Sequence, residues 1–208
     1  MAKRTPMRSE PIKLEKKAWV AAPTLIVMGV DPGLAATGVA ILEKAEGKKP
    51  ICLEMNVIRT QKAKKKDLRG MRVTADDSRR MREIWNGLAD MERKFKPQAL
   101  AFEVYTPHKA QGGAAWKTGR IEGAVQMFGL ERGMLVLPFL PQDLKRGFCG
   151  KLSASKEEVL DVMSVKVENL ERMVHTFNKT LREHVSDAAG HAYLAFEEMY
   201  RMRAMMGF

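Results

Sequence analysis

The chain has 208 residues, 45% of them hydrophobic and 29% charged, and 36 Lys+Arg against 25 Asp+Glu leave a formal net charge of +11. That length accommodates one domain with additions and a real core, and the composition excludes collagen-like, coiled-coil and wholly disordered chains. Two distant cysteines, Cys52 and Cys149, exclude a disulfide scaffold and point to a reducing, cytoplasmic setting, while the surplus of cations calls for a polyanionic partner, nucleic acid before an anionic membrane surface.

Residues 1–22 are polar, basic and aperiodic and are expected to form a flexible arm ahead of a single domain spanning 23–208. The apolar run at 18–30 (AWVAAPTLIVMGV) is too short to span a bilayer as a helix, and Pro23 splits it, so no membrane role follows. Its second half, 24–30, reads as a buried strand closed by Asp31-Pro32-Gly33. Residues 37–42 and 51–58 complete a three-strand meander. Residues 59–72 carry seven Lys/Arg and one Asp, including the Lys62–Lys66 cluster, and predict a basic loop. Residues 74–95 have helical spacing, with Met81, Ile84, Trp85, Leu88 and Met91 on one face and Pro97 beyond the end. Residues 99–104 (ALAFEV) predict a short buried strand.

A Gly-containing loop at 107–113 leads into a helix from about 114 to 132, and 135–138 predicts another strand. Residues 141–153 read as a basic loop. Residues 155–173 predict a helix N-capped by Ser155, and the last helix is expected from near Glu183 through Met202. The order βββαβαβαα implies an α/β fold: a mixed sheet, a three-strand meander followed by alternating helices and strands, flanked by helices.

A carboxylate in an apolar strand is costly unless it is paired or holds a metal. Asp31 ends one such strand and Glu103 sits late in another, and parallel neighbours would bring both to one sheet edge. His184 and Asp187 are three apart on the last helix and share a face that His191 continues. Such an oxygen-rich set with one imidazole suits Mg²⁺ or Mn²⁺, and paired ions hold the attacking and leaving oxygens of a phosphodiester. Singly, each residue has a plainer role: Asp31 in a turn, Glu103 in an ion pair, His184 on the surface.

The stretch 28–41 (MGVDPGLAATGVAI) resembles the first strand pair of the RuvC-type Holliday-junction resolvases, of the ribonuclease H-like nuclease superfamily. Further blocks resemble the same family in order: 80–103, ending at the catalytic glutamate; 115–123 (AWKTGRIEG); 142–156; and 184–195. The likeness covers about residues 25–195, with phage-encoded members nearest in style. It implies a ribonuclease H-like fold and Asp31, Glu103, His184 and Asp187 as ligands of two divalent ions. Asp31 would bridge the ions, His184 and Asp187 would hold the one that activates water, and Glu103 would help orient that water. It further implies a homodimer that nicks two opposed strands of a four-way junction, leaving 5′-phosphate and 3′-hydroxyl ends, in the host cytoplasm for a phage member.

Lys145 and Lys156 match lysines that contact the scissile backbone in this family. Lys109, Lys117, Arg120, Arg146 and Lys151 are expected at phosphates by charge and placement. The helix at 114–132, with Trp116, Ile121, Val125, Phe128 and Leu130 among Gly119, Gly123 and Ala124, is the expected dimer face or else packs on its own sheet. Where the family places an aromatic wedge, this chain has Thr106, with Tyr105 one earlier. Three alternatives remain open: an actin-like or sugar-kinase phosphate loop at Asp31, Gly33, Thr37 and Gly38; a non-cutting junction-binding protein; and a flap or fork nuclease of the same fold.

Overall fold

The computed structural model describes residues 18–64, 73–105 and 112–207. Five strands, β1 (Thr24–Asp31), β2 (Ala36–Ala45), β3 (Ile51–Arg59), β4 (Ala99–Glu103) and β5 (Leu135–Phe139), form one sheet in the order β3-β2-β1-β4-β5. β1 pairs antiparallel with β2 and parallel with β4, which runs parallel to β5. Helices α1 (Val73–Phe95) and α2 (Gly112–Glu131) cover one face. The other face carries α3 (Pro141–Cys149), α4 (Lys156–Lys166), α5 (Leu170–Val174) and α6 (Lys179–Met205). This is the mixed α/β architecture that the strand and helix periodicities imply. Among the described residues no helix is long and apolar enough to cross a membrane.

Strand parity sorts the side chains. Met28, Val30, Val39, Ile41, Leu100 and Phe102 pack with Ile84, Leu88 and Phe128 under α1 and α2. The opposite parity presents small residues, Gly29, Gly38, Ala40, Ala99 and Ala101, toward α6, whose own contact face is Ala188, Ala189, Ala192 and Ala195. Helix and sheet therefore meet closely. A Cβ at Gly29 would stand 1.9 Å from the Ala188 carbonyl oxygen, and one at Gly38 would stand 2.1 Å from that of His184. Both obstacles are backbone and cannot rotate away. Gly29→Ala is expected to lift α6 off β1 and to lower unfolding free energy by about 3 kcal/mol, the upper part of the usual overpacking range. Urea unfolding measures it, and an unchanged midpoint would mean that α6 does not lie against β1.

Three stretches depart from the sequence expectation. Residues 141–149 form a helix rather than a basic loop. Pro141 opens it, Asp143 accepts a hydrogen bond from the Leu140 N–H at 2.7 Å, Leu144 and Phe148 are buried one turn apart, and left-handed Gly150 closes it. Four charged or polar residues in nine masked that pattern. The helix expected over 155–173 breaks at 167–169, where Asn169 is left-handed (φ 64°) and the Glu168 backbone pairs with Pro50 and Cys52 along the sheet edge. The last helix starts earlier than expected, at Lys179, where Asn178 accepts from the Leu181 N–H.

The expected arm of residues 1–22 also ends sooner. Residues 1–17 lie outside the described residues, but Ala18–Ala21 is a docked 3-10 turn in which Trp19 and Val20 are buried. Arg203 of α6 donates to the carbonyls of Trp19 and Ala22. The expected basic loop at 59–72 is described as far as Lys64, where Asp76 accepts from the Ala63 N–H.

Candidate active site

Asp31 and Glu103 are the last residues of β1 and β4, which run parallel with Val30 opposite Phe102. Their parity is that of Gly29 and Ala101, so both carboxylates emerge on the α6 side. The helix comes near because of the two glycines, and its His184 and Asp187 share the face that meets this sheet edge. His184 Nδ1 lies 2.5 Å from Asp31 Oδ2. Thus four residues spread over 157 positions of sequence numbering, from 31 to 187, converge where parallel strands end, the place such sheets keep for ligands.

Their electrostatics are those of crowded anions. Burial, followed by repulsion from Asp31 and Asp187, pushes the Glu103 carboxyl up to about 8. Burial first pushes Asp187 up to about 6, with Lys156 opposing and Asp31 reinforcing the rise. The hydrogen bond to Asp31 raises His184 above its ordinary value. Lys156, at the start of α4, donates to Glu183 at 2.9 Å and Asp187 at 3.3 Å. Glu103, Asp187, Lys145 and Lys156, with Pro141, Leu144 and Val159, line a cleft of about 150 Å³.

This donor set fits a hard divalent cation. The three partly buried carboxylates crowd one another, and burial with that repulsion makes the charged forms of Glu103 and Asp187 costly, a cost that a cation would relieve. Among the described residues no three such groups are already drawn together as a ligand cage. The fit rests on donor chemistry and on the crowding of the three carboxylates.

A pH dependence follows. Glu103 and Asp187 hold protons in the fold that the unfolded chain releases nearer 4.5 and 3.8. The folded state binds more protons across that window, so stability falls as pH rises toward 8. The raised His184 acts in the same direction, since its advantage is lost as it deprotonates. Melting temperature in chelator is expected to fall from pH 5 to pH 8, and saturating Mn²⁺ at pH 8 to restore it. Equal melting with and without Mn²⁺ at pH 8 would contradict metal binding here.

The basic residues divide. Lys145 and Lys156 line the cleft, and Lys151 is bonded to Glu158 at 2.7 Å. Arg146 lies exposed on α3. Lys117 stands 3.7 Å from Asp77 and Arg120 lies over the Trp116 ring, both on α2. Lys109 and Thr106 lie outside the described residues. Sequence reasoning missed Lys179 and Arg182, which with Lys156 line an adjoining cleft of about 220 Å³; their signal was their place in the first turn of α6, concealed by the late start expected for it.

The α2 expectation is corrected in part. Ile121, Val125 and Phe128 are buried in this chain's own core, whereas Trp116, Met127 and Leu130 are 64%, 58% and 52% exposed. Helical rotation separates the two sets, which share one apolar stretch of sequence.

The chain resembles known proteins over most of its length. Residues 27–193 match the family model described as crossover junction endodeoxyribonuclease RuvC. The crossover junction endodeoxyribonuclease RuvC of Natranaerobius thermophilus is 31% identical over 137 residues, 65% of this chain and 76% of that protein. The T. thermophilus RuvC solved with a Holliday junction substrate superposes with a TM-score of 0.63 at 22% identity, covering 84% of this chain and 97% of that one. The yeast mitochondrial Holliday junction resolvase superposes at 0.56 and 14% identity over 88% of this chain and 85% of its own. At such identities the two superpositions speak for the fold.

Proposed function

The chain belongs to the RuvC family of crossover junction endodeoxyribonucleases, and from that premise we propose that it resolves four-way DNA junctions by divalent-metal-dependent phosphodiester hydrolysis at the sheet edge where β1, β4 and α6 meet. The observation that carries this reading is the convergence of Asp31, Glu103, His184 and Asp187 beside one cleft rimmed by Lys145 and Lys156.

Asp31, Glu103, His184 and Asp187 would hold Mg²⁺ or Mn²⁺, two ions in the family's arrangement. Bound there, such ions supply Lewis acidity to the scissile phosphate and lower the pKa of a water. The chain's own groups do the rest. Asp31 orients His184 through its 2.5 Å contact. Glu103, on the cleft wall, would help orient the attacking water. Lys156 holds Asp187 and Glu183 in the free protein; with Asp187 holding a cation, its ammonium would be free to meet a phosphate oxygen beside Lys145.

His184→Asp is expected to keep measurable cleavage, because a carboxylate can replace the imidazole as a ligand. His184→Ala should lose roughly two orders of magnitude, corresponding to a few kcal/mol of lost transition-state stabilisation. An alanine variant as active as wild type would place the third ligand elsewhere.

A junction has two equivalent scissile strands about a two-fold axis, so paired nicking calls for two subunits. The exposed Trp116, Met127 and Leu130 offer apolar area to a second copy. Gly119 and Gly123, where an added methyl would meet nothing within 4 Å, permit close helix approach. Cys52 and Cys149 are free thiols, which accords with a cytoplasmic location.

The test is Mg²⁺-dependent cleavage of a supercoiled cruciform plasmid, with sedimentation of the free protein. The reading expects a dimer, linear product within one binding event, and ends that ligase reseals. A monomer leaving open circles at every concentration would favour a flap or fork nuclease, and binding without cleavage would favour a junction-binding protein.

A further inference from the structure

His191 has no part in the ligand set just described, yet it is the most unusual polar group in the molecule. It sits one turn beyond Asp187 on α6 and is completely buried. Its ring stacks on Phe139 of β5, with centroids 6.2 Å apart and planes 21° from parallel. Nε2 stands 3.7 Å from Glu103 Oε2. Neither ring nitrogen makes a well-formed hydrogen bond, although the Asp187 carbonyl one turn back bears on the ring.

A neutral imidazole always carries one N–H and one lone pair. Leaving both without partners in a dry interior is costly, and folded proteins rarely do it. Leu or Phe would pack against Phe139 without that cost. The carboxylate within 4 Å of the ring belongs to Glu103, which ends an apolar strand and shares its cleft with Asp187, Lys145 and Lys156. The gap of 3.7 Å exceeds a hydrogen bond, but a small torsion of the Glu103 side chain closes it. Glu103 has freedom to make it, since the chain ends its strand there and its carboxyl reaches the cleft.

We propose that His191 is a positioning residue: its Nε2–H donates to one oxygen of Glu103 and thereby aims the other oxygen at the metal and water. This rests on the proposed ligand role of Glu103. The logic is that of outer hydrogen bonds to metal ligands, which hold the ligand in one orientation and strengthen metal binding by roughly 10- to 100-fold. Glu103 needs such a bond more than its companions do, because His184 orients Asp31 and Lys156 orients Asp187.

The experiment is calorimetric Mn²⁺ binding by the free full-length protein, with cleavage kinetics as a function of Mn²⁺. His191→Leu is expected to melt near wild type and bind junction DNA equally well. Its Mn²⁺ affinity should fall roughly 10- to 100-fold, with a parallel rise in the half-saturating Mn²⁺ for cleavage. His191→Gln, whose amide N–H reaches the place of Nε2, should recover most of that affinity. Unchanged Mn²⁺ binding in His191→Leu, or no recovery in His191→Gln, overturns the proposal. Nitrogen NMR of the wild-type imidazole at saturating Mg²⁺, where Glu103 is ionised, needs no variant: the Nε2–H tautomer is expected, and an Nε2 lone pair, or Nε2 bound directly to Mn²⁺ in spin-echo spectra, overturns it. Asp31→Asn, run alongside, separates the two ideas. If it binds Mn²⁺ as wild type does, the ligand set itself fails, whatever His191 shows.

Discussion

Asp31→Asn is expected to reduce junction cleavage by about a thousandfold or more while leaving junction binding nearly intact. The substitution is isosteric, and an amide oxygen still accepts a hydrogen bond where Asp31 Oδ2 now meets His184 Nδ1. What disappears is one negative charge at the centre of the proposed ligand set, and with it the expected metal affinity. Several kcal/mol of transition-state stabilisation depend on such a ligand, and each 1.4 kcal/mol is about a factor of ten. Binding survives because it relies on lysines and arginines away from β1. Single-turnover cleavage at saturating Mg²⁺ checks this alongside a mobility-shift titration. Cleavage above a tenth of wild type would remove Asp31 from the ligand set.

Junction affinity is expected to fall by about a thousandfold between 50 and 200 mM salt. If the proposed contacts of Lys117, Arg120, Lys145, Arg146, Lys151 and Lys156 with phosphate form, the counterions released would give a log–log slope of roughly −5. The contacts are not equivalent. Lys151 is held by Glu158 and Lys117 by Asp77, and those pairs compete with phosphate. Lys145→Ala should therefore flatten the slope by nearly one full contact, and Lys151→Ala by less. Titrations at five salt concentrations measure both, and a nearly flat response would mean that the +11 charge serves some other purpose.

The proposed ligand residues were legible because their chemistry conflicts with their surroundings. Asp31 and Glu103 close apolar strands, where a carboxylate needs a purpose, and His184 and Asp187 share a helix face by spacing alone. The short helix Pro141–Cys149 was not legible, because two buried side chains one turn apart are too few to show a period. The break at 167–169 was hidden for another reason: its cause is a pairing between Glu168 and the residues around Ile51, more than a hundred positions away.

Local sequence alone determined the elements that position the chemistry: strand parity, the four ligand candidates, their order and the surplus of cations. Those properties are set by near neighbours, through side-chain period and the cost of burying charge. Tertiary structure alone decided which face of α2 is free, since Ile121 and Trp116 are alike in sequence and differ only in whether the sheet covers them. It also decided that Lys156 holds Asp187 and that His191 lies dry beside Glu103. Both depend on how closely α6 can approach the sheet. Gly29 and Gly38 permit that approach by lacking a side chain, and the backbone they meet becomes their neighbour only when the chain folds.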